Sequence, residues 1–314
     1  MLLSCNNDKN NKVPSKKYNT TQKIDKNNLT KKTDRNKNNS ILNQITQVEK
    51  SKELKLKQMT IKSLKIISKR SWSLKIYSSD GSKAVFKPFL KNNTTARHEV
   101  AYYILATLLN VKQTPVSTIR TFSAPKINTL LHKKYNTNAE NFAKNSLLNS
   151  NHTITGAIIE WMDNIEPLNQ NKTTDLTALS LLLKNSTSKI AQNASKMIAL
   201  DFLLGNWDRF SGGNLFRIKN SNTLALIDQN NSFSSLSKKQ KAKITSYLKL
   251  IKYIPVEFIN AVNSLNASII SSAVKPYNHP NALLTKKEIL DVIDRKNKLV
   301  PILKKQNHSH SAKK

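Results

Sequence analysis

Apolar positions alternate along the first half of the chain and fall into helical spacing along the second. From Thr60 to Ile67, and again from Ser73 to Tyr77, large apolar side chains interleave with polar ones, the period of a strand with one buried face. Asp80-Gly81 is a residue pair suited to a tight hairpin turn. Ala84 to Phe89 reads as the returning strand, ended by Pro88 and the polar run Lys91 to Thr95. The period then changes: Val100, Tyr103, Ile104, Thr107 and Leu108 share one face of a helix predicted over Arg97 to Asn110. Val116 to Phe122 predicts a further strand, Ala124 to His152 a polar insertion, and Ile154 to Met162 a buried strand.

Beyond this point helices dominate. They are predicted over Thr177 to Leu183 and Thr187 to Leu204, followed by a turn-rich stretch from Gly205 to Asn214. A short hairpin, Leu215 to Ile218 with Leu224 to Ile227, turns at Asn220-Ser221-Asn222. Three more helices are expected, over Lys238 to Lys252, Pro255 to Val274 and Thr285 to Lys304. The order is an α+β pattern. A small strand-rich lobe with one helix, about residues 59–163, precedes a larger helical lobe, about residues 164–304.

Composition adds two flanking segments. Asn6 to Lys57 is mostly Lys, Asn, Thr and Ser, too poor in apolar groups to offset the entropy of ordering. Residues 1–58 are therefore expected to be a disordered basic tail, with a weak helix near Ile41 to Leu56, and 305–314 a second short tail. The formal net charge of +33 attracts phosphate-rich partners: nucleic acid, anionic membrane or lipid, nucleotide, or acidic protein. It does not choose among them, and nucleic acid is expected to engage the tail alone. A lone cysteine, Cys5, excludes an internal disulfide. Met-Leu-Leu-Ser-Cys at the start resembles the end of a lipoprotein signal peptide without its charged and apolar regions; one reading is a lipoprotein anchored through Cys5, if the true start lies upstream, and the other is an ordinary terminus with a free thiol. No run is long and apolar enough for a spanning helix. A soluble protein, cytoplasmic or exported as an effector, is expected.

Three stretches carry candidate chemistry. Lys87 lies in an apolar strand, and Glu99 follows twelve residues later on a helix. A lysine in such a strand either reaches water or finds an anion, because an unpaired buried ammonium is costly. Next comes Gly205-Asn206-Trp207-Asp208-Arg209-Phe210-Ser211-Gly212-Gly213-Asn214, which holds three of the chain's five glycines. An acid, an arginine and an asparagine on one turn make a site, or else a turn in which they bond the nearby backbone. Last, Asp228 follows four apolar strand residues, where it binds a divalent cation or caps the next element.

Taken in order, strand lysine, helix glutamate, Asp and Asn turn, and strand-borne Asp follow the order of parts in phosphoryl-transfer kinases. The chain resembles the atypical kinase group that includes HipA toxins, type II phosphatidylinositol 4-kinases, actin-fragmin kinase and Golgi casein kinase. The matching motifs are Phe86-Lys87-Pro88, Glu99-Val100-Ala101, Thr114-Pro115-Val116, Asn206-Trp207-Asp208-Arg209 and Ile227-Asp228-Gln229. The resemblance implies ATP with Mg²⁺ or Mn²⁺ as cofactors. It makes Lys87 the phosphate lysine, Glu99 its anchor, Asp208 the catalytic base, and Asn214 and Asp228 the metal ligands. Glu160, Trp161 and Met162 become the hinge beside adenine, and Arg209 a brace for its loop. No glycine-rich phosphate loop is present; Ser71 and Ser73, within Ser68 to Ser73, stand in its place. Asn214 lies one residue farther from the Asp than in relatives, a difference that a bulge at Gly212-Gly213 would absorb. Phe210 replaces a common His, and Gln229-Asn230 replaces Asn-Gly. The implied activity is a Ser/Thr protein kinase. A phosphoinositide kinase is the second expectation, and an inactive binding module using its basic tail is the third. Trp72, Trp161 and Trp207 are all expected near the nucleotide cleft.

Overall fold

A computed structural model describes residues 47–168, 175–210, 214–278 and 281–311. The expectations for Cys5, for most of the N-terminal tail and for a bulge at Gly212-Gly213 fall outside them.

Within the tail expected to be disordered, the weak helix expected near Ile41 to Leu56 is present as α1 (Gln47–Gln58), and it is ordered rather than loose. Its few inward groups are well partnered. Leu56 is buried, and the buried Glu53 carboxylate accepts hydroxyl donations from Tyr103 at 3.1 Å and Tyr277 at 2.9 Å. Arg120 donates to the Leu56 and Met59 carbonyls at the helix end. Two tyrosines and one arginine from distant segments order a helix that its own lysine-rich composition does not.

The strands form as the alternation predicts. β1 (Ile61–Ser68), β2 (Ser73–Ser78), β3 (Lys83–Pro88), β4 (Ser117–Ser123) and β5 (Thr153–Glu160) make an antiparallel sheet in the order β1-β2-β3-β5-β4. Helix α2 (Arg97–Leu108) packs beneath it; every residue from His98 to Leu108 is buried. The expected polar insertion after β4 is instead a helix, α3 (Ala124–Asn145). Ser123 accepts from the Lys126 N–H as its cap, and Ile127, Leu131, Ala139 and Phe142 are buried at helical spacing. Asn, Lys and Thr between those positions mask the stripe.

A small second sheet has the order β6-β7-β8. It is built from β6 (Ile165–Pro167), not seen in the sequence pattern, and the hairpin β7 (Phe216–Ile218) and β8 (Leu224–Ala225). The helical lobe holds α4 (Asp175–Leu182) and α5 (Lys189–Leu204). Next come α6 (Lys238–Leu248), α7 (Val256–Ser264), α8 (Ala267–Val274) and α9 (Lys286–Ser311). The helix expected over Pro255 to Val274 is broken at Leu265-Asn266, where the Asn266 side chain accepts from the Ile269 N–H and starts a new helix. The last helix runs on past Lys304. Gln306 and Asn307 donate to the Leu248 and Ile254 carbonyls and fasten a stretch expected to be a loose tail.

Candidate active site

Strand alternation puts Ala84 and Phe86 of β3 in the core and turns Val85 and Lys87 toward a cleft. Gly156 of β5 lies opposite Pro88. A Cβ there would collide with the Lys87 carbonyl oxygen and stand 2.7 Å from the Pro88 Cα, so glycine lets the two strands close at the lysine. The Lys87 ammonium pairs with Glu99 Oε1 at 2.5 Å and with Asp228 Oδ1 at 2.8 Å. Its side chain is 12% exposed, against 3% for Glu99 and 42% for Asp228. Burial alone would push the ammonium down, but the two carboxylates outweigh it and hold it above its ordinary value. The anion expected for this strand lysine is therefore present twice over.

Glu99 Oε1 also accepts the Gln229 backbone N–H at 2.9 Å, so one carboxylate fixes both the lysine and the loop that carries Asp228. That loop is tightly turned. Asp228 has φ of 61° and Phe233 of 59°, the left-handed region that side chains other than glycine seldom occupy. A buried network holds it there. Arg209 donates to Asp201 Oδ2 at 3.1 Å, to the Ile227 carbonyl at 2.6 Å and to Gln229 Oε1 at 2.6 Å. Asn206 donates to the same Gln229 oxygen at 2.8 Å, and Tyr102 donates its hydroxyl to Asp201 Oδ1 at 2.7 Å. The Arg209 and Asp201 side chains are both 0% exposed. Burial pushes the Asp201 carboxyl up, while Arg209 and Tyr102 pull against it. Arg209 thus braces the loop, as the sequence resemblance implies. Gln229, the departure from the usual Asn, is the acceptor that joins the two turns.

Asp208 opens the short turn Asp208–Phe210 after α5, whose end is set by left-handed Gly205. Asp208 Oδ2 accepts from Asn214 Nδ2 at 3.1 Å and from Asn231 Nδ2 at 3.0 Å. Asn214 thus reaches the acid despite its longer spacing. At the other end of the cleft the turn between β1 and β2 presents hydroxyls. Ser71 Oγ donates to Ser68 Oγ at 3.0 Å and lies 2.8 Å from Ser73 Oγ. Trp72, with φ of 50°, turns away from the cleft and meets Phe142 edge-on at 6.3 Å, so it does not join the other two tryptophans there.

Two chambers make up the cleft, sharing Ser68, Ser71, Lys87 and Asp228. One, of about 370 Å³, is walled by Val85, Ile159, Met162 and Ile227, with Ser73 and Glu99 deeper in. Glu160 and Trp161 stand along its edge. Their side chains are engaged outward: Glu160 pairs with Lys52 of α1 at 2.8 Å, and Lys75 sits 3.4 Å above the Trp161 ring. The other chamber, of about 300 Å³, is lined by Arg70, Trp207, Asp208, Asn230 and Asn231. An apolar slot opening onto hydroxyls, an ammonium and two carboxylates suits a flat base joined to a phosphate chain.

No family model matches the chain, and no curated protein matches it by sequence. Solved structures do match in shape. The Golgi casein kinase with Mn/ADP bound aligns at TM-score 0.60 and 14% identity, covering 84% of this chain and 77% of that one. A second structure of the Golgi casein kinase aligns at 0.58 and 15%, covering 83% and 75%. Hydra Fam20 with sugar aligns at 0.55 and 17%, covering 80% and 86%. The chain has an atypical kinase-like fold.

Within this kinase-like frame the sequence reading lacked several groups. Asp201 was visible as a charge inside the apolar run Ala199 to Leu204. Asn231 was one asparagine among many. A clamp on the glutamate-bearing helix also went unseen. Arg97 donates to both Glu288 oxygens of α9, at 2.9 and 2.7 Å, and His98 meets Glu288 Oε1 at 2.9 Å. Burial works against the Glu288 anion, but the hydrogen bonds from His98 and Arg97 prevail and hold its carboxyl well below the usual range. Among the described residues, no helix is long and apolar enough to cross a membrane.

Proposed function

We propose that this kinase-like chain is an active phosphotransferase that moves the γ-phosphoryl group of ATP to Ser or Thr hydroxyls of a protein. The observation that carries the reading is the joining of Lys87, Glu99 and Asp228 in one cleft with Asp208. Four residues scattered from 87 to 228 meet where an ATP phosphate chain and an acceptor hydroxyl would lie.

Each residue then has a task that its surroundings support. Lys87, kept charged by two carboxylates, holds the α- and β-phosphates. Glu99 fixes the lysine. The Ser71 and Ser73 hydroxyls line the phosphate side, and the strand edge at Glu160 to Met162 faces adenine. Asp208 orients the acceptor hydroxyl and takes its proton. Asp228 and the amide oxygen of Asn214 are hard oxygen donors that suit Mg²⁺ or Mn²⁺. Such an ion supplies charge neutralisation for the phosphates. The Mn/ADP in the structurally similar Golgi casein kinase agrees with this pairing of nucleotide and metal.

Transfer of labelled phosphate from ATP, with Mn²⁺, to the chain itself or to dephosphorylated casein tests the reading. Activity in the parent and none in Asp208→Ala is expected. Equal incorporation by both proteins would contradict it. Label passing to phosphoinositide vesicles in place of protein would move the assignment to a lipid acceptor.

A further inference from the structure

Asp208 is held in an asymmetric way. Both amide donors that reach its carboxylate, Asn214 Nδ2 and Asn231 Nδ2, converge on Oδ2. No donor from the described residues reaches Oδ1. Asn231 is not loosely placed. It follows the left-handed Asp228 by three residues and stands in the turn closed by the Ser232 N–H donating to the Gln229 carbonyl at 2.9 Å. Its own carbonyl accepts from the Ser234 hydroxyl at 3.0 Å. Phe233, two residues on, donates its N–H to the Leu204 carbonyl at 2.6 Å and packs its ring 5.3 Å from that of His98. The turn is therefore anchored to α5 and α2, and both Asn231 and Asp208 face the same chamber.

We infer that Asn231 is a positioning residue for Asp208, and that the two amides divide the labour of its carboxylate. Oδ2 is pinned, which fixes the plane of the group; Oδ1 is left as the oxygen that receives the acceptor's proton. The inference rests on the kinase reading. In that reaction the acceptor O–H proton passes to Oδ1. The acceptor oxygen bonds to the γ-phosphorus as the bond from that phosphorus to the β,γ-bridging oxygen breaks, and ADP leaves. A carboxylate free to rotate would present either oxygen, at varying distance, and well-placed geometry counts heavily in such a step. The arrangement also ties the acid to the nucleotide-side loop: Asn231 and Asp228 ride on the same turn, so a displacement at one is felt at Asp208.

The test uses the full chain, ATP with Mn²⁺ and dephosphorylated casein, with Asn231→Ala and the isosteric Asn231→Asp beside the parent. The measured quantities are kcat, KM for casein, the dissociation constant for the nucleotide, and the melting temperature. Loss of one hydrogen bond to a charged group lowers kcat by roughly tenfold to a hundredfold in both variants, with KM, nucleotide affinity and melting temperature nearly unchanged. A merely structural asparagine would lower melting temperature and nucleotide affinity together with kcat. If Asn231→Ala fails to fold, Asn231→Asp decides alone. An active parent matched by Asn231→Asp in kcat overturns the inference and leaves the kinase reading intact. So does a lower kcat that comes with a matching loss of nucleotide affinity or melting temperature. A parent that binds ATP and transfers phosphate to nothing overturns the kinase reading, and this inference with it.

Discussion

Lys87 meets two carboxylates and Arg209 meets one, and the difference in burial tells the two ionic groups apart. The Lys87 cluster opens onto the cleft through the half-exposed Asp228, as a group that must meet a ligand does. Arg209 and Asp201 are sealed, so their contribution is to shape. Removing one partner of a sealed pair leaves an uncompensated charge. Arg209→Met should therefore lower unfolding stability by about 3–5 kcal/mol in denaturant titration. Asp228→Ala, at the open end, should change stability little while abolishing metal-dependent nucleotide binding. Gly156→Ala should destabilise by about 1–3 kcal/mol through overpacking against the Lys87 carbonyl and should weaken nucleotide binding in the same experiment. At this scale the sequence was informative where a residue type was costly in its context. Lys87 in an apolar strand, Asp228 after four apolar residues and Arg209 in a glycine-rich turn all stood out. Asn231 did not, because asparagine is common throughout this chain and its hydrogen bond depends on a turn that only the folded loop creates.

Among elements, α2 has the most to hold. It carries Glu99 into the cleft, and its start is fastened to the opposite lobe by Arg97 and His98 on Glu288 of α9. Acid should test this link. Glu288 is depressed in the folded state, so its stabilisation is fully present above the ordinary carboxylate pKa and is lost as pH falls below it. Glu288→Gln should cost about 2 kcal/mol near neutral pH, the scale of a hydrogen bond to a charged group. It should also flatten the loss of stability below about pH 4.5, the ordinary carboxylate value. A parallel acid profile in parent and variant would speak against the clamp. The strands of the large sheet were legible because alternation over a half-buried sheet is a strong signal. α1 was legible only as a weak helix and α3 not at all, for a shared reason: each is ordered by a few contacts from distant segments. Glu53 with Tyr103 and Tyr277, and a thin stripe of Ile127, Leu131 and Phe142, leave the local composition polar. The break between α7 and α8 escaped notice because Asn266 as a cap looks like any other asparagine until the chain turns there.

At the scale of the whole molecule, a strand-rich lobe and a helical lobe meet at a cleft whose polar end gathers residues from β3, α2, the turn after α5 and the loop after β8. The likeness in shape to the Golgi casein kinase, at 14–15% identity, shows that this frame survives near-complete replacement of the sequence. In this chain the order Lys87, Glu99, Asp208, Asp228 pointed to the fold although each motif alone is weak. The central claim is that the cleft binds ATP through a divalent ion held at Asp228. Thermal unfolding of the parent and of Asp228→Ala, each with ATP, with Mn²⁺, and with both, tests it most directly. The account predicts a rise in melting temperature for the parent that requires nucleotide and metal together, equivalent to about 2.7 kcal/mol at a hundredfold excess over the dissociation constant, and no such rise for the variant. No shift in the parent, or an equal metal-dependent shift in both proteins, would contradict it.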